Sequence, residues 1–122
     1  RPRETLRLAH ASQTVREVFV SAPRPGRRTG AVLLLDEDGA LAGLFTDSDL
    51  ARLMEQRRDE ALDRPIAEVM TARPLALHTS AMFSDVVALF SERKISEIPV
   101  VDDQGVPVGL IDITDVIGWL PS

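Results

Sequence analysis

The sequence contains no cysteine and no tyrosine, and only two histidines, His10 and His78. Without cysteine the chain has no disulfide, no thiol nucleophile and no Cys-ligated metal site. Two histidines are too few for a His-rich metal site, and the chain lacks a Ser-His-Asp order and a phosphate-binding P-loop. Asp47 and Asp49 alone would make a weak magnesium site. We therefore expect no catalytic residues and no bound metal.

Long apolar segments are also missing. No run approaches the roughly 20 residues that a transmembrane helix needs, and no signal-peptide pattern opens the chain. Basic residues are scarce, since Lys and Arg number 14 against 19 Asp and Glu, for a net charge of −5. That balance disfavours nucleic-acid binding, and we expect a cytoplasmic protein without membrane or nucleic-acid partners. The first residues, RPRETLRLAH, include no initial Met, so we expect a piece of a longer protein.

An internal repeat organises the 122 residues, of which 44% are hydrophobic. The octet GLFTDSDL at residues 43–50 returns as GLIDITDV at residues 109–116, a shift of 66 positions. The same shift superimposes VLLL on IPVV and the turn DEDG on DDQG. The chain is therefore predicted to hold two copies of one supersecondary unit, which we place at residues 1–60 and 61–122.

Local patterns in the first copy predict its elements. Thr14 and Glu17 are spaced as a capping box, which predicts a helix from about residue 15. The apolar runs 31–35 and 41–45 predict a hairpin around DEDG. Small polar residues from Thr46 onward can then cap a second helix.

The second copy has the same order. Residues 74–78 predict a strand, and Thr79 or Ser80 is expected to cap a helix. The core face of that helix is predicted to be Phe83, Val86, Val87 and Phe90. A hairpin is predicted from runs 98–101 and 108–111, followed by a last helix with Val116, Ile117, Trp119 and Leu120. A short helix from about Pro65 to Met70 joins the copies.

These elements predict an α/β (α+β) fold. Each copy has a small three-stranded sheet with two helices, and either alone buries little apolar surface. We expect the two copies to pack sheet to sheet with pseudo-twofold symmetry.

Three motifs resemble those of the CBS domain pair, or Bateman module: EVMTARP at 68–74, KISEIPVVD at 94–102 and GLFTDSD at 43–49. The resemblance extends from about Leu6 to Leu120. It implies a regulatory module without catalysis that senses a nucleotide, for which adenine nucleotides are candidates. The helices after the octets commonly form the dimer contact in that family, so a homodimer is also implied. The alternative is a structural dimerisation module that binds no ligand.

A closer resemblance involves SQTVRE at 12–17, GAVLLLD at 30–36 and FTDSDL at 45–50. These segments are similar to the CBS pair of bacterial sugar-phosphate isomerases, which interconvert arabinose 5-phosphate and ribulose 5-phosphate for the lipopolysaccharide sugar Kdo. The resemblance implies an upstream sugar-isomerase (SIS) domain in the parent chain. CMP-Kdo, a nucleotide-sugar, is then a candidate feedback ligand.

The octets carry the chemistry expected of a nucleotide site. A carboxylate such as Asp49 accepts hydrogen bonds from ribose hydroxyls, and a hydroxyl such as Thr46 at a helix start suits a phosphate. The resemblance implies the same roles, although both residues could merely cap the helix. The second octet keeps Asp115 but replaces the threonine by Asp112, which would repel a phosphate or simply act as a cap.

Other site residues are expected on the neighbouring strands. Candidates for the walls are Leu8, Ala31, Val32, Leu77, Ile98 and Pro99, although most of these could instead be core residues. Arg27, Arg28 and Lys94 could reach a phosphate or lie on the solvated surface. His10 and His78 are expected at the surface or at strand edges.

Overall fold

The computed structural model describes residues 6–21, 31–93, 95 and 97–119. The first copy contains β1 (Leu8–His10), α1 (Val15–Ser21), β2 (Ala31–Leu35), β3 (Leu41–Thr46) and α2 (Asp47–Glu55). Two 3-10 turns, Asp59–Asp63 and Ile66–Glu68, and the short strand β4 (Thr71–Ala72) follow. The second copy contains β5 (Leu77–His78), α3 (Phe83–Glu92), β6 (Glu97–Val101), β7 (Pro107–Asp112) and α4 (Ile113–Trp119). The predicted order of strand, helix, strand, strand and helix is confirmed in both copies.

The strands form two sheets of the same design. In one, the order is β1-β2-β3-β4, and in the other it is β5-β6-β7. The first strand of each copy pairs parallel with the second, and the second pairs antiparallel with the third. β4 pairs with β3 although it lies beyond residue 60, so the first sheet has one strand more than predicted. The division of the chain at residue 60 stays a prediction.

The helix starts follow the sequence in the first copy, but the start of α3 in the second copy does not. The Thr14 N–H donates to Glu17 Oε1 at 2.8 Å, and the Glu17 N–H donates to Thr14 Oγ1 at 3.1 Å, which confirms the capping box. In the second copy the caps proposed at Thr79 and Ser80 are wrong. The Thr79 N–H continues the strand by donating to Val101 O, and the Ser80 N–H donates to the His78 ring. Because these residues are used in a turn, α3 begins only at Phe83.

The start of α3 also changes its predicted core face. The Met82 N–H donates to Asp85 Oδ2 at 2.9 Å. Phe83, the first helical residue, is 46% exposed and not part of the core. Val86 is buried, with Val87 and Phe90 packed around it as predicted.

Two predicted elements are shorter than expected. The strand predicted over 74–78 is limited to Leu77–His78. The connecting helix is a 3-10 turn over Ile66–Glu68, closed by the Val69 N–H donating to Ile66 O. Among the described residues, no helix has the length and apolarity to cross a lipid bilayer.

Three apolar clusters hold the elements together. One lies within the first copy and includes Val15, Val32, Phe45 and Ile66, and another lies within the second copy and includes Leu77, Val86, Ile98 and Val116. The third joins the copies through Leu6, Leu33 and Leu110. A hydrogen bond of 2.8 Å from the Leu41 N–H to Gly105 O also links the two halves.

Candidate functional site

The first octet places Thr46 and Asp49 together at the start of α2. Thr46 is the N-cap residue, and its N–H donates to Asp49 Oδ2 at 2.9 Å. The Asp49 N–H donates to Thr46 Oγ1 at 3.1 Å, which completes a capping box. The two side chains therefore meet as predicted, and they cap the helix as the alternative proposed.

Capping leaves both side chains with further hydrogen-bonding capacity. In the box the Thr46 hydroxyl acts as an acceptor, so its proton can still be donated to an anion. Asp49 Oδ1 accepts from Arg52 Nη1 at 3.0 Å, in an ion pair where the Arg52 side chain is 62% exposed. Such an exposed pair is weak, so a ribose hydroxyl could replace the guanidinium at this oxygen.

Arg7 is a candidate site residue that the sequence patterns did not reveal. It is only 3% exposed, and its Nη1 lies 3.7 Å from Asp47 Oδ1 at the start of α2. Its guanidinium carbon lies 5.3 Å from the centre of the Phe19 ring. The buried charge places a cation beside the octet, and the only sequence signal was an arginine within the apolar segment LRLA.

The second octet repeats the geometry with different chemistry. The Asp112 N–H donates to Asp115 Oδ2 at 3.0 Å, as in the first octet. Asp112 Oδ1 accepts from the Thr114 N–H and hydroxyl at 2.7 and 2.6 Å. Asp112 thus caps the first turn of α4, which is the helix-cap role given above as the alternative.

Glu97 adds a third carboxylate that the site predictions missed. It pairs directly with Asp112 across β6 and β7, at the position that Ala31 holds opposite Thr46 in the first copy. The repeat shift of 66 could have revealed it, because that shift places Glu97 on Ala31. The second octet is therefore surrounded by more negative charge than the first.

The wall candidates lie in the core. Leu8 is half-buried, and the others have buried side chains: Ala31, Val32, Leu77, Ile98 and Pro99. Their contact with a ligand stays a prediction. Lys94, Arg27 and Arg28 lie outside the described residues. His10 and His78 are exposed, at the ends of β1 and β5.

Comparison with known proteins points to one family. Residues 66–122 match the model of the CBS domain family. Arabinose 5-phosphate isomerase GutQ of Salmonella typhi is 33% identical over 102 residues, covering 84% of this chain and 30% of that protein. Inosine-5'-monophosphate dehydrogenase of Mycobacterium leprae is 33% identical over 91 residues, covering 74% of this chain and 16% of that protein. The chain thus spans less than a third of the length of these relatives.

Solved structures share the fold over nearly the whole chain. The cytosolic domain of the Mg2+ channel MgtE in complex with ATP has a TM-score of 0.79 and 25% identity, covering 95% of this chain and 45% of that chain. CBSX2 in complex with AMP has a TM-score of 0.75 and 24% identity, covering 96% of this chain and 88% of that chain. Both copies of the repeat are therefore included in the structural match.

Proposed function

We propose that this chain, whose residues 66–122 match the CBS domain family and whose fold is that of CBS pair proteins, is a non-catalytic module. In this proposal the module senses a nucleotide or nucleotide-sugar at its first octet. The observation that carries this proposal is the placement of Thr46 and Asp49 at the start of α2. The complexes of related folds with AMP and ATP support the choice of ligand.

The two octets are proposed to differ in ligand. The first combines the Thr46 hydroxyl with the buried charge of Arg7, which favours a phosphate. The second has Asp112, Asp115 and Glu97. A carboxylate 4 Å from a phosphate charge costs about 4 kcal/mol in a partly screened site. The second octet therefore suits a nucleoside or a cation-bridged ligand, or it stays empty.

Calorimetry tests the proposal directly. We expect heat of binding from at least one of AMP, ADP, ATP, S-adenosylmethionine and CMP-Kdo, and no binding by any of them at millimolar concentration would refute it. Asp49→Ala should weaken the ligand by about 1–3 kcal/mol, the usual effect of removing one partner from a polar contact. Asp85→Ala is the matched control, because Asp85 accepts the equivalent N–H bond at the start of α3 and is not a residue of either octet.

Exchanging the residues that distinguish the octets tests the proposed asymmetry. Thr46→Asp keeps a good N-cap residue while adding a negative charge, so it should weaken AMP with little effect on folding. Asp112→Thr should raise the affinity of the second octet for AMP. Unchanged AMP affinity in Thr46→Asp would show that the phosphate does not bind at this helix start.

The parent protein is a separate proposal. We infer a cytoplasmic sugar-phosphate isomerase with an upstream SIS domain, in which CMP-Kdo acts as feedback ligand. The similarity to arabinose 5-phosphate isomerase supports it, but inosine-5'-monophosphate dehydrogenase is equally identical over a slightly shorter segment. Sequencing the natural gene upstream of Arg1 distinguishes the two, because only the first has a sugar-isomerase domain there.

A ligand-free role in dimerisation is the second candidate function. Met54 on α2 and Ile117 on α4 are 53% and 63% exposed. A groove of about 240 Å³ between α1 and α2 is lined by apolar side chains that include Phe19, Val20 and Met54. Light scattering should then show a dimer that Met54→Glu weakens. A monomer in the unmodified chain would argue against this role.

A further inference from the structure

A cavity of about 350 Å³ lies at the end of the first sheet opposite the octet. It is lined by His10, Ala11, Ser12, Leu35, Asp36, Glu37, Pro65 and Ala67. Thr46 pairs with Ala31 at one end of β2, whereas His10 pairs with Leu35 at the other. Because a strand rises about 3.3 Å per residue, the cavity is about 13 Å from the octet. Its volume is that of a small-molecule site.

Backbone hydrogen bonds hold the walls of the cavity in place. The Ile66 N–H donates to Gln13 O at 2.7 Å, and the Ala67 N–H donates to Ala11 O at 3.1 Å. The Ile66 side chain is fully buried in the core of the first copy. These contacts fix the 3-10 turn over the ends of β1 and β2, so the cavity exists without a ligand.

The charge of the lining is negative. The described residues that line the cavity include Asp36 and Glu37, and none of them is Lys or Arg. Asp36 Oδ1 is held in place because it accepts from the Asp38 and Ala40 N–H groups at 2.9 and 3.0 Å. The nearby Arg64 is engaged by Glu68 at 2.8 Å. A phosphate is therefore disfavoured in this cavity and a cation favoured.

In the second copy, the carboxylate equivalent to Glu37 has a hydrogen-bond partner within the chain. The strand registers place His78 at the position of His10, and the turn repeat places Asp103 at that of Glu37. There the His78 ring bonds Asp103 Oδ1 through Nε2 at 2.5 Å and Ser80 Oγ through Nδ1 at 2.7 Å. In the part of the chain that the structure describes, no hydrogen bond engages the His10 ring or the Glu37 carboxylate.

We propose that the cavity of the first copy binds a small organic cation, with an ammonium or guanidinium group on a short apolar body. The N–H groups of the ligand donate to Glu37 and to the open oxygen of Asp36, as the imidazole N–H does to Asp103 in the second copy. The carbon atoms of the ligand pack against Leu35, Pro65 and Ala67. Among the described residues no three His, Asp or Glu side chains are arranged to hold a metal, which favours an organic cation over a metal ion.

Amide chemical shifts of the whole chain test this site. We use n-butylammonium and methylguanidinium as probes, with n-butanol and butyrate as matched neutral and anionic compounds. The two cations should shift the amide signals of Ala11, Leu35 and Ala67 at millimolar concentration, and butyrate should not. Glu37→Gln, at an exposed position, should weaken the cations about tenfold, the effect of losing one charged hydrogen bond.

Control variants separate this site from the octets. Asp103→Asn changes the equivalent turn of the second copy and should leave cation binding unchanged, as should Thr46→Asp. Equal shifts from butanol or butyrate, no shifts from either cation, or full affinity in Glu37→Gln would each overturn the proposal. None of these results depends on nucleotide binding, so either proposal can fail alone.

Discussion

Gly43 is conserved between the two octets as Gly109, and the structure explains its role at the first position through packing. A Cβ atom added at Gly43 would overlap the Met70 sulfur and lie 2.8 Å from Met70 Cγ. A glycine can allow a ligand to approach the backbone closely. In the folded chain the close neighbour is Met70, from the motif EVMTARP.

Gly43→Ala is therefore expected to destabilise the protein by about 1–3 kcal/mol, the usual cost of overpacking. Met70 is flexible enough to absorb part of the clash. Because Met70→Ala removes the clashing atoms, Gly43→Ala should cost less stability in the Met70→Ala variant than in the unmodified chain. Urea unfolding of the four variants of this cycle measures the coupling. Additive losses would show that Met70 does not determine the requirement for glycine.

Gly118 provides the matched control for this prediction. An added Cβ there meets no atom within 4 Å, and the residue lies in α4. Gly118→Ala should therefore stabilise the protein by about 0.5–1 kcal/mol, because alanine loses less backbone entropy in a helix. A loss of stability in the same urea experiment would contradict the open surroundings of this position.

The backbone conformation of Arg57 favours glycine. Its φ is 56°, and it follows α2 in a Schellman motif, in which the Arg58 N–H donates to Leu53 O at 2.9 Å. We expect Arg57→Gly to stabilise the protein by about 0.5–1 kcal/mol, because glycine adopts this φ without strain. Arg57→Ala keeps the strain and should show no such gain in thermal unfolding.

At the scale of elements, an ion pair ties α1 to the 3-10 turn Asp59–Asp63. Arg16 Nε lies 2.9 Å from Asp63 Oδ1. The hydrogen bond from Arg16, and then its charge, lower the pKa of the Asp63 carboxyl below its ordinary value. The pair is exposed and screened by solvent, so its effect should appear as a pH dependence more than as a large contribution to stability.

The sign of that pH dependence follows from the lowered pKa. The contribution of Asp63 is present above the ordinary aspartate pKa of about 3.9 and is lost as the pH falls through the lower folded value. Asp63→Asn should therefore reduce the loss of stability on acidification below about pH 4. Urea midpoints across this range measure it, and Arg16→Gln should behave in the same way. An acid dependence identical to that of the unmodified chain would exclude the pair as its cause.

At the scale of the whole molecule, the cluster of Leu6, Leu33 and Leu110 joins the two copies, and we expect them to unfold as one unit. Each of these side chains is at most 8% exposed. Leu33→Ala, in the first copy, should destabilise the protein by about 2–5 kcal/mol. Trp119 is the only tryptophan and lies in the second copy. Its fluorescence should therefore report the same lowered urea midpoint as far-UV circular dichroism.

Separate transitions for the two probes would show that the copies unfold independently. The matched variant is Val86→Ala, in the cluster internal to the second copy. It should also shift both probes together if the copies are coupled. Trp119 fluorescence that moves in Val86→Ala but not in Leu33→Ala would contradict the coupling.

The order of residues along the chain was enough to predict the repeat, the order of elements, both hairpins and the meeting of Thr46 with Asp49 and of Asp112 with Asp115. These features depend on neighbours within a few positions, such as turn residues, capping pairs and apolar periodicity, or on the 66-residue shift. The sequence-based prediction was wrong where polar residues can either cap a helix or form a turn. Thr79 and Ser80 resemble helix caps, but in the folded chain their N–H groups donate to Val101 O and to the His78 ring.

Which distant residues face one another could be seen only in the folded chain. Arg7 reaches the start of α2, Met70 packs on Gly43, and the 3-10 turn at Ile66–Glu68 closes a cavity over the ends of β1 and β2. Each contact joins segments more than 20 residues apart. The physical reason is that such contacts depend on how the sheets and the linker pack, and local periodicity and capping patterns carry no information on that packing.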